Sequence, residues 1–152
     1  MNNIFNLYND WCYLNGSCKA LHSINDIRFD YIKSLISIKN KKILDLGCGG
    51  GLLSLKFALN GAYVIGVDKS PMLIELAKSN LKKFNINDNI IYINADITTF
   101  ITNIKFDIVL CMEVLEHISD IDIFLINLIK LSKFCDNIFI SSLDNTINCY
   151  FD

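Results

Sequence analysis

Five short segments of the chain are almost continuously apolar. They span residues 42–46, 63–67, 90–94, 106–111 and 137–142. Runs of this length are typical of β-strands that are buried on both faces. Because such strands occur mainly in sheets covered by helices, the pattern predicts a mostly parallel sheet.

The segments between these runs have the spacing of amphipathic helices. The predicted helices span residues 27–38, 52–60, 71–84 and 121–133. In the first, apolar side chains recur at helical spacing, at Ile27, Tyr31, Ile32, Leu35 and Ile38. Pro71, directly after Ser70, suits the first turn of the third helix. A further helix between the third and fourth strands is left open.

Strands that alternate with helices predict an α/β fold: a Rossmann-like, doubly wound, mostly parallel sheet with helices on both faces. A chain of 152 residues can bury a core as a single domain. We divide it into an N-terminal arm and helix, residues 1–40, and a Rossmann-like core, residues 41–152. Ligands of such folds bind at the carboxyl ends of the strands, so the site residues should follow the strands.

Composition narrows the function classes. Hydrophobic residues make up 52% of the chain and the net charge is −2, which argues against disorder and against nucleic acid as a partner. Neither a signal peptide nor an apolar run long enough to span a membrane is recognisable, so a cytoplasmic protein is expected. The six cysteines form no C-x-x-C pair, which gives no support to a zinc ribbon.

The strongest candidate for chemistry is the glycine-rich turn after the first strand. Gly47, Gly49 and Gly51 let the backbone approach a ligand closely, and the following helix brings its N-terminal amides to the same place. Nicotinamide dinucleotides use a related turn, but its fingerprint is G-x-G-x-x-G. A carboxylate at Asp45 is awkward beside a pyrophosphate and natural beside a cationic amino acid. The turn therefore favours S-adenosyl-L-methionine as the cofactor.

Two further acids follow strands. Asp68 lies where a carboxylate can accept hydrogen bonds from both hydroxyls of a ribose, and its alternative role is to cap the helix that begins near Pro71. Asp96 can accept from the exocyclic amino group of adenine, and capping of the next segment is the equally serious alternative. Both acids are predicted to bind the cofactor.

A third group follows the fourth strand. Glu113, Glu116 and His117 would share one face of a helical turn, where they could bind magnesium or manganese. His117 could instead remove a hydroxyl proton as a general base. An acidic loop with a capping histidine is the structural alternative.

Several segments together carry a family resemblance. They are Trp11, the sequence Leu-His-Ser-Ile-Asn at residues 21–25 leading to Arg28, the turn at residues 44–51, Gly66-Val67-Asp68, and Cys-Met-Glu-Val-Leu-Glu-His at residues 111–117. With them the chain resembles the ubiquinone-biosynthesis O-methyltransferases, within the class of Rossmann-like methyltransferases that use S-adenosylmethionine. The glycine turn alone identifies only the class of methyltransferases. The segments at residues 21–25 and 111–117 are more specific for the family.

The resemblance implies a set of site residues. Cofactor contacts are expected from Arg28, Gly47, Asp68 and Met112, and a magnesium site from Glu113, Glu116 and His117. The implied reaction methylates phenolic hydroxyls of polyprenylated precursors, a catechol-type phenol and a demethylated ubiquinol. His117 and Glu113 are then the candidate catalytic residues. A hydrophobic, polyprenylated substrate also implies peripheral contact with the inner membrane.

The chain departs from the family pattern in its length. Compared with the family it lacks the C-terminal part that supplies the last two strands and much of the acceptor surface. We therefore expect an exposed sheet edge that favours self-association or a partner subunit. The alternatives to the ubiquinone reaction are a methyltransferase of the same fold with another small-molecule acceptor, and a non-catalytic remnant or subunit.

Overall fold

A computed structural model describes residues 19–84 and 88–142 of the chain. The described helices are α1 (Lys19–Leu35), α2 (Leu52–Leu59), α3 (Pro71–Phe84) and α4 (Ile121–Ser132). The described strands are β1 (Lys42–Leu46), β2 (Tyr63–Asp68), β3 (Ile90–Asn94), β4 (Phe106–Met112) and β5 (Cys135–Ser141). A short 3₁₀ helix spans Leu115–His117. The part of the resemblance that rests on Trp11 lies outside the described residues.

The five strands form one sheet in the order β3-β2-β1-β4-β5, and all four pairings are parallel. From β1 the chain first adds β2 and β3 on one side, and then crosses to add β4 and β5 on the other side. The strand order therefore reverses beside β1. A crevice opens at the carboxyl ends of the strands at such a switch point. The predicted parallel, doubly wound sheet is confirmed.

Each face of the sheet has its own apolar core. On one face α1, α2 and α3 bury side chains against the strands, with Phe57 of α2 fully enclosed. On the other face α4 packs through Phe124 and Leu128 against the strands and the loop after β3. Helices therefore cover both faces, as predicted, which explains why the strands are apolar throughout.

The first helix is the main correction to the predicted elements. It includes residues 21–25, which the sequence pattern assigned to an arm, and it ends at Leu35 instead of residue 38. Polar residues break the apolar spacing before Ile27, yet Asn25 is buried at 8% exposure against the rest of the fold. Tertiary packing thus extends this helix beyond its apolar stripe. The division of the chain at residue 40 stays a prediction.

The segment between β3 and β4 forms no helix. Residues 95–105 are a loop with one turn at residues 97–99. Asp96 holds this turn by accepting hydrogen bonds from the backbone amide of Thr98 at 2.8 Å and from its hydroxyl at 2.7 Å. The remaining predicted elements differ from the structure only by one or two residues at their ends.

Two surface properties bear on the expected partners. Among the described helices, none combines the length and apolar character needed to cross a membrane. Within the described residues β5 pairs with β4 alone, so its other edge has no strand partner, and Ile140 on it is 46% exposed.

Replacing Phe57 with Ala should lower the free energy of unfolding by roughly 3–5 kcal/mol, because a fully buried ring is lost and a cavity remains. The Phe57 ring also packs edge-on against Phe29, with 5.0 Å between ring centroids. Urea unfolding measures the change. Leu59→Ala, on the same helix but 53% exposed, is the control and should change stability by less than about 1 kcal/mol. Equal losses in the two variants would contradict this description of the core.

Candidate functional site

The glycine turn between β1 and α2 lies at the switch point. Amides of Gly47 and Cys48 donate to the Val67 carbonyl at 2.8 and 3.1 Å, which fastens the turn to the end of β2. Gly49 has a φ of 53°, and no atom lies within 4 Å of the place where its Cβ would be. The backbone at Gly49 is therefore open to the crevice, as a closely approaching ligand requires.

Two buried side chains hold the turn from behind. Tyr92 on β3 donates its hydroxyl to the Gly51 carbonyl at 3.1 Å, and the Asn80 amide of α3 donates to the Gly50 carbonyl at 3.3 Å. The Tyr92 ring fills the space that a Cβ at Gly66 would need, at 2.7 Å. Sequence reasoning missed both supports. The signal was a glycine in β2 directly opposite an aromatic residue in β3.

Asp68 ends β2, and backbone amides hold its carboxylate in place. One oxygen accepts from the amide of Gly49 at 2.9 Å and the other from the amide of Ser70 at 2.8 Å. Each oxygen keeps a further lone pair for a ligand. Ser70 itself caps α3 through the amide of Leu73 at 3.4 Å, so Asp68 remains available to the crevice.

Asp45 is the buried acid of the site, with 3% exposure. Burial raises the pKa of its carboxyl to about 6, and the nearby charge of Asp68 acts in the same direction. A hydrogen bond from the Ser54 hydroxyl and the charge of Arg28 oppose this shift. A carboxylate in this position is ready to accept a cationic ligand group, which would relieve the cost of burying it.

Two cavities adjoin the carboxyl ends of the strands. The first, of about 370 Å³, extends from Asp68 past Asp96 to the start of α4. The second, of about 320 Å³, extends from Asp68 past Asp45 to α1. Both are lined by five shared residues: Gly47, Asp68, Leu73, Glu113 and His117. They therefore form two lobes around one centre, and we call the whole the cleft.

The first lobe suits a flat, mostly apolar group. Apolar side chains that the sequence pattern did not single out line it, including Leu73, Ile97 and Ile118. Asp96 lies in its wall, where its carboxylate is held by Thr98 and hydrogen bonds keep its pKa below the usual value. The structure thus gives Asp96 its turn-capping role and also places it beside the cleft.

Arg28 of α1 reaches the second lobe, as the resemblance implied. Its Nη2 lies 2.7 Å from Oε1 of Glu113, and its Nη1 donates to the side-chain carbonyl of Asn25 at 3.2 Å. The Ser141 hydroxyl donates to the same Glu113 oxygen at 2.8 Å. The other oxygen, Oε2, is buried and has no hydrogen-bond partner among the described residues. Met112, at the end of β4, lines the same lobe.

The predicted metal ligands are not brought together. Glu113 has a φ of 55° and precedes a 3₁₀ helix of three residues, so the helical face on which the prediction depended does not form. Its carboxylate turns to Arg28, whereas Glu116 is exposed and accepts from the Ser142 hydroxyl at 3.4 Å. Within the described ranges no group of three His, Cys, Asp or Glu side chains could hold a metal ion. The magnesium site at Glu113, Glu116 and His117 does not fit this arrangement.

Most of the predicted site residues do meet in the cleft. Arg28, Asp45, Gly47, Gly49, Asp68, Asp96, Met112, Glu113 and His117 all line one lobe or both. The arrangement offers a fixed carboxylate for hydroxyl groups, a buried carboxylate for a cation, and a guanidinium for an anion. The described lining also includes the imidazole of His117, which is the candidate proton acceptor.

Comparison with known proteins identifies the family. A family model described as a methyltransferase domain matches residues 37–148. The chain belongs to this methyltransferase family. The match includes the glycine turn, Asp68 and the segment that ends at His117, while Arg28 lies before it.

Similar curated proteins confirm the resemblance seen in the sequence. The chain is 40% identical to a ubiquinone biosynthesis O-methyltransferase of Coxiella burnetii over 95% of its own length and 61% of that protein. It is 40% identical to the Pelagibacter ubique enzyme of that name, covering 93% of this chain and 62% of the relative. A mitochondrial relative from Schizosaccharomyces pombe is 37% identical. The chain thus spans about three fifths of the length of the first two relatives.

Solved structures confirm the fold. Magnesium protoporphyrin IX methyltransferase from Synechocystis, crystallised with S-adenosylmethionine, superimposes with a TM-score of 0.67 at 21% identity, over 90% of this chain and 60% of that one. Coclaurine N-methyltransferase, crystallised with S-adenosylhomocysteine (SAH) and N-methylheliamine, gives a TM-score of 0.62 at 27% identity, over 73% of this chain and 33% of that one. The sheet and helices described above are therefore a methyltransferase fold.

Asp45 should lower stability at neutral pH. Its folded-state pKa of about 6 lies above the ordinary 3.8, so the protonated form favours folding and that contribution is lost as the pH rises from about 4 to 7. We expect Asp45→Asn to raise the free energy of unfolding by about 2–3 kcal/mol at pH 7.5 and by little at pH 4. Urea unfolding of both proteins across this pH range measures the difference. A difference that does not grow with pH would contradict the buried charge.

Proposed function

We propose that this chain binds S-adenosyl-L-methionine and transfers its methyl group to a phenolic hydroxyl of a polyprenylated ubiquinone precursor. The observation that carries the proposal is the cleft at the switch point. Its fixed carboxylate at Asp68, its buried carboxylate at Asp45 and the guanidinium of Arg28 match the ribose, ammonium and carboxylate of this cofactor. The resemblance to ubiquinone O-methyltransferases supports the choice of acceptor.

Asp68 and the first lobe would hold the nucleoside. Asp68 accepts from the ribose hydroxyls with the lone pairs that Gly49 and Ser70 leave unused. The apolar wall around Ile97 covers the adenine, and Asp96 lies where it can accept from the adenine amino group. Gly49, which has open space at its Cβ position, lets the backbone lie against the ligand.

Arg28 and Asp45 would hold the amino acid part in the second lobe. A guanidinium binds a carboxylate through two parallel hydrogen bonds, and the buried Asp45 carboxylate lies nearer the ammonium group. Met112 contributes an apolar contact in the same lobe. When bound, the cofactor supplies an electrophilic methyl group on a sulfonium.

His117 and Glu113 are the proposed catalytic residues because both line the two lobes where they meet. His117 accepts the proton of the acceptor hydroxyl, and the carboxylate of Glu113, which lines both lobes, can accept a hydrogen bond from the same hydroxyl. Direct transfer needs no covalent intermediate on the protein. The remaining requirement is to align the acceptor oxygen with the methyl group and to exclude water.

The acceptors proposed here are a catechol-type polyprenyl phenol and a demethylated ubiquinol. We further propose that this protein is cytoplasmic and makes peripheral contact with the inner membrane, where such hydrophobic acceptors reside. A second candidate is a cofactor-binding subunit that another chain or copy completes. The edge of β5 favours it, because in the described residues that edge has no strand partner.

Asp68→Ala should weaken binding of SAH by roughly 10- to 100-fold, because a charged acceptor for two ribose hydroxyls is lost. Calorimetric titration of the purified chain measures it. Asp68→Asn keeps the shape of the side chain and should also weaken binding. Asp88→Ala, an exposed acid outside the cleft, serves as the control and should bind like the wild type. Unchanged binding in both Asp68 variants would contradict the ribose assignment.

His117→Gln should lower kcat by roughly 10²- to 10⁴-fold, the range expected for loss of a general base. Its affinity for SAH should stay within a few fold of the wild type. Methyl transfer to a short-chain prenyl catechol, followed with a labelled methyl donor, measures the rate. His22→Gln provides a matched control outside the cleft. Parallel losses of rate and cofactor affinity would show that His117 supports binding instead of chemistry.

A further inference from the structure

Arg28 is already engaged before any ligand is considered. Nη2 lies 2.7 Å from Glu113 and Nη1 donates to Asn25, so both outer nitrogens of the guanidinium have partners. A carboxylate ligand is bound best when two of these N–H groups point to it in parallel. The proposed cofactor must therefore share Arg28 with its present partners or displace one of them.

Glu113 is the partner that is easier to displace. Its Oε1 accepts from both Arg28 and the Ser141 hydroxyl, while Oε2 is buried and no described residue donates a hydrogen bond to it. Its backbone φ of 55° lies in the left-handed region that residues other than glycine rarely adopt. An ion pair that leaves one carboxylate oxygen buried and unpaired is incompletely stabilised.

The charges around the second lobe also favour displacement of Glu113 from Arg28. Its described lining carries three carboxylates, Asp45, Asp68 and Glu113, and within that part of the chain Arg28 is the one lysine or arginine that lines it. A ligand carboxylate would be the fourth. Arg28 carries one positive charge, which cannot neutralise both the Glu113 carboxylate and the ligand carboxylate. The two carboxylates therefore compete for it.

We propose that the carboxylate of the cofactor and Glu113 compete for Arg28, so that cofactor binding frees the Glu113 carboxylate within the cleft beside His117. This inference rests on the proposed function and deepens it. The freed carboxylate can then accept a hydrogen bond from the acceptor hydroxyl. Cofactor binding thus precedes and prepares acceptor binding.

Comparison of two ligands tests the competition. SAH has the amino acid carboxylate, whereas 5′-methylthioadenosine keeps the adenosine and thioether and lacks the amino acid. Glu113→Gln removes the competing charge, so it should tighten SAH binding about fivefold, the upper range for an ion pair of this kind. Binding of methylthioadenosine should not change. Calorimetric titration gives both affinities.

Two further variants keep the test sharp. Glu113→Asp retains the charge but shortens the side chain, so it should weaken the 2.7 Å contact with Arg28 and tighten SAH binding in the same direction. It carries the test if Glu113→Gln does not fold. Asp122→Asn removes an exposed charge at the start of α4 from a side chain that lines neither lobe, and it should change neither affinity.

Each outcome decides the question. Weaker or unchanged SAH binding in the Glu113 variants overturns the competition and gives Glu113 the role of orienting Arg28. Equal tightening in Asp122→Asn also overturns it, since the effect would then be one of overall charge. A folded wild type that binds neither ligand overturns the proposed function, which is a different result from an unchanged ratio of the two affinities.

Discussion

The attachment of the glycine turn to the end of β2 is the constraint on which the site depends. Amides of the turn donate to Val67 and to the carboxylate of Asp68, so the backbone of one strand connection is fixed by the next strand. This is possible because β1 and β2 are parallel neighbours whose carboxyl ends meet at one edge. The residues of the cleft that follow β1 and β2 are positioned by that attachment.

The support behind the turn explains how an irregular backbone keeps one conformation. The open glycines cost conformational entropy on folding, which must be offset by contacts elsewhere. Tyr92 and Asn80 provide them, since each donates a hydrogen bond to a carbonyl of the turn from the buried side. The side of the turn that faces the cleft is thereby left free, while these hydrogen bonds hold the side that faces the core.

Charge in the cleft is arranged at a cost to stability. Burial holds the pKa of Asp45 near 6, and one oxygen of Glu113 has no partner in the part of the chain that the structure describes. Unfavourable electrostatics of this kind persist where a ligand later provides the missing partner. The cleft is in this sense incomplete by itself: Glu113 lies where the two lobes meet, and Asp45 lines the second lobe.

Much of this could be predicted from the chain alone, because β-strands and glycine turns leave local signals. The apolar runs predicted all five described strands. Gly47 and Asp68 were predicted from their positions at strand ends, and Asp45 from its place two residues before Gly47. Arg28 came from family resemblance, since nothing local marks an arginine on a helix as a ligand group. The first helix was predicted too short because its polar early turns are buried only by the rest of the fold.

The tertiary structure decided the contacts between distant segments. The sequence placed Glu113, Glu116 and His117 on one face of a helical turn, but the backbone at Glu113 is left-handed and its carboxylate pairs with Arg28, 85 residues earlier. Tyr92 supports the glycine turn only because β3 lies beside β2 in a register that sets it opposite Gly66. Local patterns specify elements and strand-end residues, whereas pairings across the fold depend on register and charge that no local window contains.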